Sequence, residues 1–200
     1  MKKPNSFDEV HAGGDFTPIE LGGHHAVIKS VKEQKSSTGK DMVVVALDFA
    51  KNDCQPGYFT EQFNNDTRDE KKWPYQAVQY IVTEDSDGKC SRSFKGFITS
   101  FERSNNVTTN WGDKFVNQFK NKKIGVVYGE VEEEYNGEIK TRRRIRWFCE
   151  DAKADEADIP NKKYFTGVIK GSGNNNGSTE ETDSDGFMHV PEGTDDEIPF

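Results

Sequence analysis

Cysteine is scarce in this sequence and follows no pattern. Cys54, Cys90 and Cys149 are odd in number and far apart, and no Cys-x-x-Cys pair occurs. Neither a disulfide framework nor a zinc site is expected, and a reduced, cytoplasmic setting fits. Long apolar runs are missing too. Nothing approaches the roughly 18 consecutive apolar residues of a membrane span, so no membrane partner is expected. The opening "MKKPNSFDEV" has two lysines but no apolar stretch behind them, which argues against a signal peptide. Hydrophobic residues make up only 32% of the 200. Even with glycine added, that is below the roughly 45–50% of ordinary domains, so part of the chain is expected to lie outside any core. Aromatics offset the shortage: 14 Phe, 6 Tyr and 3 Trp can build a core from few residues.

Catalytic signatures are equally thin. "SSTGKD" contains Gly-Lys but lacks the upstream Gly and the following Ser/Thr of a phosphate loop. His24 and His25 are adjacent, so on a strand they point to opposite faces and make a poor metal pair. No Ser/His/Asp or Cys/His arrangement stands out along the chain. The expectation is a protein without enzymatic activity, cofactor or metal.

What is present is an uneven charge. Residues 171–200 hold eight acids and no Lys or Arg, which leaves 27 acids and 27 bases in the first 170. The net charge of -8 therefore belongs to the tail. A neutral body can still bind nucleic acid, because local charge outweighs the total.

The chain divides into a lead-in (1–20), a domain (21–165), a linker (166–192) and a tip (193–200). "HAVIKSVKEQ" (25–34) and "DMVVVALDFA" (41–50) read as strands around the turn "SSTGK". "GYFTEQF" (57–63) reads as a third strand. "KWPYQAVQYIV" (72–82) reads as a short helix with Pro74 in its first turn. In "SFKGFITSFERSN" (93–105), Phe94, Phe97, Ile98 and Phe101 form one helical stripe, with Ser93 as the N-cap. "DKFVNQFKNK" (113–122) repeats that pattern in small. Asn136-Gly137 then marks a hairpin. A two-residue turn there sets Val126 opposite Trp147, Tyr128 opposite Ile145 and Glu130 opposite Arg143. Residues 150–170 fit either a docked segment or none. "GSGNNNGSTEETDSDG" reads as a flexible linker. The fold class expected is mainly β with inserted helices: an OB-like Greek-key barrel followed by a disordered acidic tail.

The sequence closes on "GTDDEIPF". A solvated acidic tail explains Asp195, Asp196 and Glu197 but not Ile198, Pro199 and Phe200. Two apolar side chains on a flexible tether, with Pro199 stiffening the backbone and a carboxylate at the end, form a short ligand for a partner's pocket. "DDEIPF" resembles the C-terminal tip of bacterial single-stranded DNA-binding proteins. In those proteins the tip docks onto replication, recombination and repair proteins, behind a linker and a DNA-binding OB-fold. The order of elements over residues 20–150, with "SFKGFITSFERSN" and "GYFTEQF", resembles a family of single-stranded DNA-binding proteins carried by phages and mobile elements of Gram-positive bacteria.

The body has its own basic cluster, "KTRRRIRWF" (140–148). On a strand, Lys140, Arg142, Arg144 and Arg146 point one way, spaced roughly 6.5–7 Å apart, and can follow a phosphate backbone. Tyr58, Trp73, Tyr75, Trp111 and Trp147 are candidate stacking platforms for bases, with Trp147 reading more readily as core. Lys35 and Lys40 flank a hairpin loop able to wrap the strand. A plainer account pairs Arg143 with Glu130 and lets "EVEEEY" neutralise the arginines. The expected function is sequence-tolerant binding of single-stranded DNA, with partners recruited through residues 195–200. The alternatives are an adaptor or DNA mimic, and a nuclease carrying the same tail. Homo-oligomer formation stays open.

Overall fold

The computed structural model describes Lys3, residues 17–167 and the backbone of 187–188. The predicted linker (166–192) lies almost wholly, and the predicted tip (193–200) wholly, outside these described residues.

The first hairpin forms where alternation and β-branching predict it. Strand β1 (Gly22–Lys35) pairs antiparallel with β2 (Asp41–Phe49). The β1 ladder slips between Ile28 and Ser30. Before this bulge β1 also pairs along its other edge, with β4 (Lys123–Tyr135). One bent strand thus serves two neighbours. β3 (Val78–Val82) adds to the free edge of β2, and β5 (Glu138–Cys149) to β4. The antiparallel order is β5-β4-β1-β2-β3. A two-residue strand β6 (Phe187–Met188), inside the span read as linker, pairs with the outer edge of β3.

Two elements differ from expectation. Residues 57–63 are not a strand but the start of helix α1 (Tyr58–Asn65). Gly57 turns the chain at φ 68°. The buried Asp48 of β2 then accepts from the Phe59 backbone N–H at 3.0 Å and from the Thr60 hydroxyl. A carboxylate from a strand thereby satisfies the helix's open N–H groups. Residues 72–82 are not a helix either. A single 3-10 turn (Tyr75–Ala77) leads directly into β3. The open edge of β2 offers Val78, Ile81 and Val82 hydrogen bonds and burial together.

Helix α2 (Arg92–Asn105) forms as expected and buries Phe94, Phe97, Ile98 and Phe101. Its N-cap is Ser91, not Ser93. The Ser91 hydroxyl accepts from the Phe94 N–H at 3.2 Å and donates to the Val82 carbonyl at 2.5 Å. Residues 113–122 give only a 3-10 turn (Phe115–Gln118), with Phe115 and Phe119 buried. Phe59, Phe97, Phe101, Phe119 and Tyr128 are among the largest fully buried side chains, so aromatics do supply the core.

The Asn136-Gly137 turn has positive φ at both residues, 53° and 81°, which matches the twist of the strands it joins. Tyr128 opposes Ile145 and Glu130 opposes Arg143, as expected. Nearer the strand ends the register slips. Arg146 is an extra residue, so Val127 meets Trp147, and Val126 meets Phe148 instead of Trp147. This bulge sends Phe148 into the core and leaves Trp147 39% exposed.

Residues 150–165 dock as a strap across the sheet. The Ala154 carbonyl lies where a β-carbon on Gly23 would be, at 1.9 Å, and Pro160 fills the space above Gly129. The Lys163 N–H donates to the Glu130 carbonyl at 2.9 Å, and the Glu132 N–H to the Lys163 carbonyl at 2.8 Å. His25 bonds Asp151 at 2.8 Å and Asp155 at 3.3 Å. Burial opposes charge on His25, but these two carboxylates outweigh it and raise its pKa.

Candidate nucleic-acid interface

The β4–β5 hairpin carries three of its basic side chains on one face. Val131 opposes Arg142, Glu133 opposes Lys140 and Gly129 opposes Arg144, so Lys140, Arg142 and Arg144 share a face, as alternation requires. The face is not uniformly cationic. Arg144 is only 8% exposed. Its guanidinium forks onto both oxygens of Glu133 at 2.7 Å and lies 3.7 Å from the Tyr75 ring centroid. It is a pinned, neutralised group, and it holds Tyr75 half-buried against β5. Arg142 is half-buried. Arg146, the bulged residue, donates to the Asn161 carbonyl of the strap at 3.1 Å. Arg143, on the opposite face, donates to the Ile19 carbonyl rather than only opposing Glu130.

Toward the hairpin tip the cations sit over aromatic rings. Lys140 Nζ lies 5.0 Å from the Tyr135 centroid and 3.4 Å from Glu138. Lys162 of the strap lies 5.4 Å from the Tyr164 centroid, bonds the Thr141 hydroxyl at 3.0 Å and pairs with Glu132 at 2.8 Å. The Glu132–Lys162 hydrogen bond lowers the pKa of the acid and raises that of the base. Tyr164 is exposed, as are Ile139 and Trp147. Tyr135 and Tyr164 are not among the sequence candidates, and Trp147, a candidate that reads more readily as core, lies at the surface. Trp147 depends on a bulge that has no sequence mark, and Tyr164 on a strap that carries no strand pattern.

The other sequence candidates lie elsewhere. Trp73 is buried and its indole N–H donates to the Leu47 carbonyl at 3.0 Å. Tyr58 is buried with its hydroxyl donating to the Thr17 carbonyl at 2.8 Å. As placed, neither ring offers a face to a base. Trp111 is 66% exposed and stacks on Phe115 at 5.3 Å and 13°, next to Phe94 of α2. Lys35 and Lys40 flank the β1–β2 loop and are exposed, with Lys35 paired to Asp41 at 2.7 Å. Residues 195–200 lie outside the described residues.

A scan against models of known families and a search of curated proteins gave no match to this chain. Among the described residues, no helix is long and apolar enough to cross a membrane.

Proposed function

We propose that this chain binds single-stranded DNA through an OB-type domain, without enzymatic activity, and recruits replication or recombination proteins through residues 195–200. The strand order supports the fold part of this reading. The order β5-β4-β1-β2-β3 is that of a five-stranded Greek-key barrel opened between β3 and β5. Helix α2 connects β3 to β4 and packs on β3, β4 and β5, across that seam. In OB-folds the β1–β2 and β4–β5 loops embrace the bound strand. Here those loops carry Lys35 and Lys40 on one hairpin and Tyr135 and Lys140 on the other. The tail's resemblance to bacterial single-stranded DNA-binding proteins supports the recruitment part.

The observation that carries the reading is the pairing of Lys140 with the Tyr135 ring at the hairpin tip, on the face shared with Arg142. Sequence-tolerant binders need both a charged track and π-faces. Anisotropy titration of labelled oligo-dT against the intact protein tests it. Affinity should fall steeply with salt. Lys140→Glu with Arg142→Glu should weaken binding at least about tenfold and flatten the salt slope by about two. Unchanged affinity in that variant, with circular dichroism showing it folded, removes the proposed track. No binding to any oligonucleotide by the parent chain favours the adaptor reading instead.

A further inference from the structure

The fold brings together three side chains that the sequence separates. His24 is buried on β1, while Asp53 and Cys54 lie in the loop between β2 and α1. His24 Nδ1 is 3.0 Å from Asp53 Oδ1, and Cys54 Sγ is 3.9 Å from that nitrogen and 3.6 Å from that oxygen. A tetrahedral zinc with ordinary nitrogen, oxygen and sulfur bond lengths sets its ligands roughly 3.4–3.6 Å apart. The three observed edges therefore bracket the spacing of a metal-bound triad.

The hydrogen bonds around the ring point the same way. His24 Nε2 lies 3.0 Å from the Glu20 carbonyl oxygen, which can only accept. Nε2 therefore carries the proton, the arrangement by which metal-binding histidines are held through a backbone carbonyl. Nδ1 then faces a carboxylate oxygen that also only accepts. An ion bound there would take both Nδ1 and Oδ1 as ligands. The ring cannot turn away, because it is stacked on Phe49 at 4.1 Å and 4° and edged by Tyr128 at 5.5 Å. Asp53 is equally fixed, by the His25 and Gln55 backbone N–H groups at 2.8 and 2.9 Å. Cys54 is exposed, so an ion has a route in, and the Glu20 carboxylate is hydrogen-bonded to the thiol, beside the cluster.

We propose that His24 Nδ1, Asp53 Oδ1 and Cys54 Sγ form a binding site for a divalent zinc-type ion, completed by Glu20 or water. The mix of imidazole, thiolate and carboxylate suits zinc over magnesium or calcium, which take oxygen ligands. The ion ties the start of β1 to the loop before α1, so its role is structural.

Zinc and cobalt titrations of the intact, chelator-treated protein decide the question. One equivalent of Zn²⁺ should bind, and a free concentration about a hundredfold above Kd should raise Tm by about 5–10 °C. Co²⁺ should give a thiolate-to-metal charge-transfer band. That band should persist in Cys90→Ser and Cys149→Ser and vanish in Cys54→Ser, an exposed position where folding is not at risk. Glu20→Gln should leave the band but weaken Zn²⁺. An unmoved Tm overturns the proposal and leaves His24 a structural partner of Asp53. A cobalt band that survives Cys54→Ser also overturns it.

Discussion

A β-carbon at position 23 would meet the Ala154 carbonyl oxygen at 1.9 Å, well inside van der Waals contact. The strap cannot retreat by that much and keep both its Lys163 hydrogen bonds and its His25 contacts. Gly23→Ala should therefore destabilise the protein by about 2 kcal/mol, toward the upper part of the overpacking range, as read by urea denaturation. Protease cleavage between residues 154 and 163 should rise in parallel. Arg144 makes a second prediction at this scale. It is buried, forked onto Glu133 and stacked on Tyr75. Arg144→Met removes both of its hydrogen bonds to that carboxylate. Since Glu133 is partly exposed, the expected loss is about 2 kcal/mol, below the roughly 3–5 found for fully buried pairs. Adding Glu133→Gln should recover part of it. If Arg144→Met instead weakens DNA binding with stability unchanged, the residue is a contact and not a pin.

The elements differ in how plainly the sequence announces them. The α2 stripe and the β1–β2 alternation depend on neighbours in the chain, so periodicity finds them. The Asn136-Gly137 turn is equally local. Helix α1 is not local: its cap is Asp48, a buried carboxylate contributed by β2, and no pattern within 57–63 records it. The segment 78–82 reads equally well as helix or strand by itself, and only the vacant β2 edge decides. The candidate interface follows the same division. The shared face of Lys140, Arg142 and Arg144 was legible from alternation. The burial of Arg144 and the outward turn of Trp147 were not, because one depends on Tyr75 and the other on the bulge at Arg146. The cap of α2 gives a test at this scale. Ser91→Ala removes an N-cap acceptor and also the donor to Val82, and should cost about 1–2 kcal/mol. Ser93→Ala, inside the first turn, should cost measurably less in the same urea titration.

Over the whole molecule, charge is divided between a balanced first 170 residues and a tail with eight acids and no bases. On the proposed DNA-binding reading, a tethered anion would compete with DNA for the cations at an effective concentration set by the tether, and the competition would be screened by salt. Deleting residues 193–200 should therefore tighten oligo-dT binding at low ionic strength, with the difference fading as salt rises. The same deletion should abolish capture of replication or recombination proteins from the host lysate. Tightening that persists at high salt would rule out electrostatic competition, and retained capture would rule out the tip as the recruiting element.

The bent β1 carries a consequence for biosynthesis. Its first half hydrogen-bonds to β4, with Gly22 opposite Tyr128, so the two partners leave the ribosome 106 residues apart. At ordinary elongation rates that interval is roughly 5–20 s. Throughout it the nascent chain can complete the β1–β2 hairpin but carries an unpaired edge from Gly22 to Val27, the kind of edge that recruits strands from other chains. The order of strands in this sheet therefore makes the half-made protein more adhesive than the finished one.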